Sequence, residues 1–319
     1  MRPGHRAMLI IFLAPFIPMV LGQWFFDAAQ HGVSGPAELI AARSTNTPAE
    51  PIREMSNRVA WFGAALIFLL VETSITAFTL SVLWRSTRKR LRSLLLVGFA
   101  ALSGLYLIVL WLNHGTDGGL SRAIFELTWN SIDRAHTLYP HALKSRIGTV
   151  IGLVNVLAVI SLASCWIGSA SLAGPPISQN FSPQEMIRRL QRLRSVIFAT
   201  GLLLVMGVLH MSVWLRWGLS MINNPEDLQH AQRLVQSITG YWGLVFSATA
   251  IAGLFPLSIV LRRAAQQTIH ELPESAPQRD QLKDLLNLSS THLIVRVATV
   301  MAPAVIGQAS GVLEVFATS

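Results

Sequence analysis

A chain of 319 residues that is 52% hydrophobic and only 13% charged is too apolar for the two soluble domains its length would allow, because soluble domains carry roughly a quarter charged residues. Its formal charge of +9 is sorted along the chain rather than gathered into a patch. Segments 1–7, 85–93, 174–195 and 262–292 hold fifteen Lys/Arg against five acids, whereas 27–58, 114–147 and 216–240 hold nine of each. That alternation obeys the positive-inside rule of membrane proteins. Topology and anionic lipid at the cytoplasmic face account for the basicity, and no nucleic-acid partner is expected.

The first apolar run, 8–26, follows Arg2 and Arg6. A basic start and an apolar core also describe a signal peptide, with Val20-Leu21-Gly22 as a tolerable cleavage site. The run continues through Trp24, Phe25 and Phe26, however, an aromatic belt at a membrane interface, so it reads as a first span. Residues 27–58 are polar, with a short helix expected at 37–42. The second span, 59–84, runs inward to a turn containing Arg85, Arg88, Lys89, Arg90 and Arg92. So basic a turn between two apolar runs is a cytoplasmic anchor, and it orients the whole chain. The third span is 94–112. Beyond it lies an outer segment whose stretch 120–139 has an amphipathic pattern, expected on the membrane surface or capping the bundle.

The fourth span, 148–172, stops at Gly174-Pro175-Pro176. Ser182, Pro183 and Glu185 then form a capping-box pattern that opens a helix. That helix carries Arg188, Arg189, Arg192 and Arg194 at the level of the headgroups, where they would meet anionic lipid or an acidic partner, and it continues into the fifth span, 196–215. After an outer loop at Asn223-Asn224-Pro225 comes the sixth span, 241–261, kinked rather than ended by Pro256. Arg262 and Arg263 mark its inner end. A short amphipathic helix is expected at 280–288. In the last uncertain segment, 293–313, the apolar run 297–313 between Arg296 and Glu314 is 17 residues long, the lower limit for crossing, and reads either as a seventh span or as a re-entrant or packed interfacial segment.

The expected fold is a single all-α domain over 1–319: a polytopic membrane helix bundle of six spans with the N-terminus in the cytoplasm. Arg outnumbers Lys by 22 to 3, the bias of a GC-rich bacterial genome, which points to a bacterial inner (plasma) membrane. A weak repeat links an inner Arg to an outer Trp (Arg6 to Trp24, Arg92 to Trp111, Arg194 to Trp214), as three successive hairpins would. Shared topology explains this without duplication.

Glu72 falls near the middle of the second span. An intramembrane carboxyl is costly and marks an ion path, a proton site or a partner charge; otherwise it serves as hydrogen-bonded glue between helices. Thr76 and Thr79 follow at i+4 and i+7, so the three share one face. In the fourth span, Asn155 stands beside a small-polar stripe of Ser161, Ser164, Cys165 and Gly168, and Gly148/Gly152 has the spacing of close helix packing. His210 is the one histidine inside a span; His114, His136, His141 and His230 lie on or near the outer side. With one cysteine and no metal-ligand, nucleotide or hydrolase motif, no catalytic residue, metal or cofactor is expected. The functional expectation is a channel or transporter, alone or as a homo-oligomer, with its path past Glu72, Thr76, Thr79, Asn155 and His210. Alternatives are an accessory subunit of a larger membrane complex, or a haem or metal redox protein using the outer histidines.

Overall fold

A computed structural model describes residues 11–30, 51–87, 89–112, 126, 128–133, 141–174 and 182–309. These residues fold into helices and short connections with no strand among them, an all-α membrane helix bundle. The principal helices are α1 (Phe16–Gln30), α2 (Pro51–Ser86), α3 (Lys89–Leu112), α4 (His141–Ala173), α5 (Pro183–Leu219), α6 (Pro225–Glu271) and α7 (Pro277–Ala309). Four of them, α2, α4, α5 and α6, are long and apolar enough to cross a bilayer; shorter apolar stretches, Ile11–Phe26 and Leu91–Ala101, include parts of α1 and α3.

The long helices exceed what a bilayer requires. About 20 residues cross its hydrocarbon core, and α6 has 47 and α5 37. Both starts are capped, that of α5 as the sequence suggests. Ser182 accepts the backbone N–H of Glu185 at the start of α5, with Pro183 in the first turn. Asn224 accepts that of Glu226 at the start of α6. Both caps satisfy N–H groups that have no intrahelical acceptor. Helix α6 continues through Pro256.

Helix α5 is the hub, packing against α2, α4, α6 and α7, while α2 also lies along α4. The successive-hairpin expectation is met in packing for α3 with α4 and for α5 with α6, but not for α1 with α2. Helix α1 docks on α6, and α3 on α4. Between α6 and α7 the packing is that of a true hairpin, closed by the short link 272–276.

Two ends of the bundle emerge consistently. At the basic end, Arg192 Nη1 donates to Ser86 Oγ at 3.0 Å and Arg194 Nη2 to the Leu285 carbonyl at 3.2 Å. At the opposite end, Arg53 Nη2 donates to the Ile222 carbonyl at 3.3 Å and Trp217 Nε1 to Glu54 Oε1 at 3.0 Å. The short helical segment 128–133 caps this outer end: the Thr128 hydroxyl donates to the Trp214 carbonyl at 2.7 Å, and Asp133 pairs with Lys144 of α4 at 2.6 Å.

The two tail elements expected at 280–288 and 293–313 are one helix, α7, continuous from Pro277 through Pro303 to Ala309; the remainder of 293–313 lies outside the described residues. It runs antiparallel to α6 from the basic end toward the outer one. The outer crossing is close because glycine faces backbone: a Cβ on Gly243 would collide with the Pro303 carbonyl oxygen, and one on Gly307 would stand 2.6 Å from that of Thr239. Proline at 303 leaves the ladder short of a donor, and at the next residue the Ala304 N–H donates outward to Ser247 Oγ at 3.2 Å.

Helix α1 begins later than the expected 8–26, since a turn at Ala14-Pro15 separates it from residues 11–13. A Cβ on Gly253 of α6 would meet Pro15 at 2.7 Å, so this break seats against α6. The Tyr241 hydroxyl then holds α1 further out by donating to the Gly22 carbonyl at 2.7 Å. The expected helix at 37–42, and 120–139 apart from 126 and 128–133, lie outside the described residues.

Candidate functional site

Helix α2 buries one face: Trp61, Ala65, Phe68, Glu72, Ile75, Thr79 and Val82 recur at helical spacing. That face meets α4 and α5, and the apolar cluster there comprises Ala65, Phe68, Ile75, Val154, Cys165, Ala199 and Leu203. Between helices in lipid, association rests on van der Waals packing and interhelical hydrogen bonds rather than on the hydrophobic effect. A polar group set into such a seam is therefore conspicuous.

Glu72 is that group. It is 0% exposed, and neither carboxyl oxygen has a hydrogen-bond partner among the described residues. Its depth follows from two register points. On α4, which runs parallel to α2, Ser164 Oγ lies 2.7 Å from Thr79 Oγ1, so Glu72 comes level with the stretch 157–161. On the antiparallel α5, the His210 ring is 5.4 Å from that of Phe68, one helical turn from Glu72. Thr76, one turn inward, also has a buried hydroxyl with no partner. Thr79 is tied both to Ser164 and to the Ile75 carbonyl, at 2.8 Å. Gly168 allows α4 to approach here, since a Cβ on it would stand 3.3 Å from the Thr79 side chain. The threonine stripe thus faces into the bundle with Glu72.

His210 is wedged between Phe68 and Trp61, 6.2 Å from the latter ring, with no partner for Nε2 among the described residues. Trp61 in turn packs 5.1 Å from Trp214 and 5.4 Å from Trp217. Trp214, the outer tryptophan of the repeat, is therefore a core residue at 3% exposure, whereas Trp24 is 63% exposed. Sequence spacing cannot distinguish these two, because both lie near the outer end of a span.

Asn155 stands apart from this site. It is exposed on α4, as is Gly152, and neither Gly148 nor Gly152 has a described neighbour within reach of an added Cβ. Ser161, Ser164, Cys165 and Gly168, by contrast, lie on the buried face. Among the described residues no group of three or more His, Cys, Asp or Glu side chains is placed to hold a metal ion. His141 and His230 are exposed, and His114 and His136 lie outside the described residues.

The arginines divide into two kinds. Arg189 is no surface anchor: it is 1% exposed, and its Nη1 donates to the carbonyls of Leu172 at 2.9 Å and Gly174 at 2.7 Å while Nε pairs with Glu185 at 3.1 Å. A guanidinium there satisfies carbonyls left open at the end of α4 and complements its dipole. Arg192 holds the end of α2 chiefly through the Ser86 hydroxyl at 3.0 Å, with the Arg85 carbonyl at 3.5 Å, and Arg194 reaches α7. The inner end of α5 thus clamps three helices, a role hidden in the sequence because the acceptors are backbone carbonyls far along the chain. Arg188, Arg85 and Lys89 are exposed. Arg92 stacks 3.9 Å over Trp84. Arg88 and the Arg90 side chain lie outside the described residues.

No known protein family, curated protein or solved structure matches this chain.

Proposed function

We propose that the protein is a transporter or channel of a bacterial inner membrane, crossing it six times from a cytoplasmic N-terminus, with a path that passes Glu72 and Thr76. One observation carries this reading: a fully enclosed carboxyl on the seam of three helices, with no partner for either oxygen among the described residues. An acid in that position costs several kcal/mol whenever it is ionised and unpaired. Interhelical glue would require a hydrogen-bond acceptor or donor across the seam, as Thr79 has in Ser164. A mobile cation or proton supplies what the fold does not. At the cytoplasmic face, the exposed Arg85, Lys89 and Arg188 would hold anionic lipid headgroups.

The test is flux from liposomes containing the purified protein, wild type beside Glu72→Gln. Loss of flux in a folded Glu72→Gln protein supports the reading; equal flux from both removes it.

A second reading, an accessory subunit or homo-oligomer, draws on Asn155. This amide faces outward within the apolar stretch of α4, next to the open Gly148/Gly152 pair, where a neighbouring helix would satisfy it. If so, Asn155→Leu weakens assembly measured in detergent or bilayer; an unchanged oligomeric state counts against it.

A further inference from the structure

We propose that the species moved past Glu72 is the proton, and that His210 is the second protonatable group on its route; this rests on the transport reading above.

The first support is the distribution of unpartnered polar atoms. Trp61 Nε1, His210 Nε2, both Glu72 oxygens and Thr76 Oγ1 are buried without a described partner; His210 lies on α5 and the others on α2, which packs against both α5 and α4. They occupy successive levels of one seam: Trp61 and Phe68 bracket His210, Glu72 lies one turn beyond Phe68, and Thr76 one turn further. One turn is about 5.4 Å, so His210 and Glu72, with the Phe68 level between them, stand more than one turn apart, a gap that a short chain of waters rather than one would bridge.

The second support is what the seam refuses. A metal cation stripped of water needs about six oxygen ligands, and Glu72 with Thr76 offers three side-chain oxygens amid Phe68, Ile75, Val154, Ala199 and Leu203. A hydrated cation requires an opening. Outward of Glu72, however, the Phe68 ring packs on His210 and lies 3.6 Å from the position of a Cβ on Gly207. Trp61 closes the next level against Trp214 and Trp217. A proton needs neither a cage nor an opening, only acceptors spaced for transfer. Chains of Asp, Glu and His serve that purpose in membrane proteins.

The charged surroundings agree. Within the spans of the three helices forming the seam, the titratable groups are Glu72 on α2, His210 on α5 and Cys165 on α4, the last beside Thr200. The charged groups at the ends of these spans are Arg58 with Glu54 and Arg216 at one end, and Arg85, Arg192 and Arg194 at the other. None of the described lysine or arginine side chains of α2, α4 and α5 lies level with Glu72.

The transfer balances simply. A proton bonds to His210 Nε2, then leaves it for a Glu72 oxygen by relay through intervening waters, each water passing on one proton as it takes up another. The N–H bond breaks as the O–H bond forms, leaving neutral imidazole and neutral carboxyl. No electron pair departs and no oxidant takes part.

The experiment uses the full chain in liposomes carrying an internal pH dye, with a potassium–valinomycin potential to drive protons and, separately, with labelled sodium and rubidium gradients. Wild type, Glu72→Gln, Glu72→Asp and His210→Gln are compared, with thermal unfolding as the check on folding. The inference predicts potential-driven proton movement that is slower in D2O, reduced about tenfold or more by Glu72→Gln and by His210→Gln, and partly retained in Glu72→Asp. Sodium or rubidium flux that depends on Glu72 without proton movement overturns it while leaving the transport reading intact. Full proton flux in His210→Gln overturns the role of His210. No flux of any species from folded wild type overturns the transport reading itself. Should either Gln variant fail to fold, the wild-type D2O comparison and Glu72→Asp still decide the matter.

Discussion

The Thr79 hydroxyl of α2 lies 2.7 Å from the Ser164 hydroxyl of α4, and it is this contact that fixes the depth of Glu72 between the helices. Both side chains also bond to carbonyls of their own helices, so losing one side of the pair does not leave the other bare. Thr79→Val is expected to destabilise by about 0.6–1.7 kcal/mol, the range for interhelical hydrogen bonds in membranes. Thermal unfolding in a mild detergent measures this. A loss above about 3 kcal/mol would mean the pair does more than hold register.

Arg189 is a sharper case. Arg189→Ala strips the Leu172 and Gly174 carbonyls of their donor and leaves Glu185 without its guanidinium. The expected cost is about 3–5 kcal/mol, as for removing one member of a buried ion pair. Arg188→Ala, one residue away but exposed, should leave unfolding unchanged and reduce retention of anionic lipid by about 1 kcal/mol. Lipid co-purification together with a melting curve separates the two. Equal behaviour of both variants would contradict the division of the arginines.

Glycines in the bundle are predicted to be unequal. Gly243→Ala forces a methyl group into the backbone carbonyl of Pro303, and neither backbone can yield without separating α6 from α7. A loss of about 1–3 kcal/mol is expected. Gly152→Ala adds a methyl group where no described atom lies within 4 Å, and Ala is the better helix former, so its stability should hold or rise. A disulfide formed between Ser247→Cys and Ala304→Cys would report the α6–α7 contact directly and should weaken when Gly243→Ala is added.

Much of this architecture was legible in the sequence because its causes are local or statistical. Apolar runs gave the helices, and charge sorting told the two ends apart. Ser182, Pro183 and Glu185 marked the start of α5 within four residues. Glu72 stood out because nothing polar belongs at that depth without a reason. What stayed hidden depends on partners distant in the chain. The pattern cannot tell that Trp214 turns inward to Trp61 while Trp24 turns outward, nor that Arg189, alone among its neighbours, folds back onto α4. His210 looked isolated because its companions, Phe68 and Trp61, are aromatic rings rather than ligands. The continuity of α7 was obscured by the polar stretch through Asn287, Ser289 and Ser290, which a helix packed along a neighbour tolerates and a lone span does not.

Trp217 links the outer end of α5 to α2 through Glu54, which also pairs with Arg58 at 3.3 Å. Trp217→Phe keeps the ring packing and removes one donor to a charged acceptor, which is expected to cost about 1.5–3 kcal/mol. Trp217→Phe with Glu54→Gln should recover part of that loss, since the buried carboxylate short of a donor is then gone, offset by loss of the charge pairing to Arg58. A double-mutant cycle by thermal unfolding reads the coupling, and strictly additive effects would contradict the bond.

The most direct test of the central claim is proton-flux rate in liposomes for wild type against Glu72→Gln, at matched protein incorporation and with both shown to be folded. The site described here predicts wild-type flux that the single oxygen-to-amide exchange reduces about tenfold or more. Identical rates in the two proteins would contradict it and return Glu72 to a structural role.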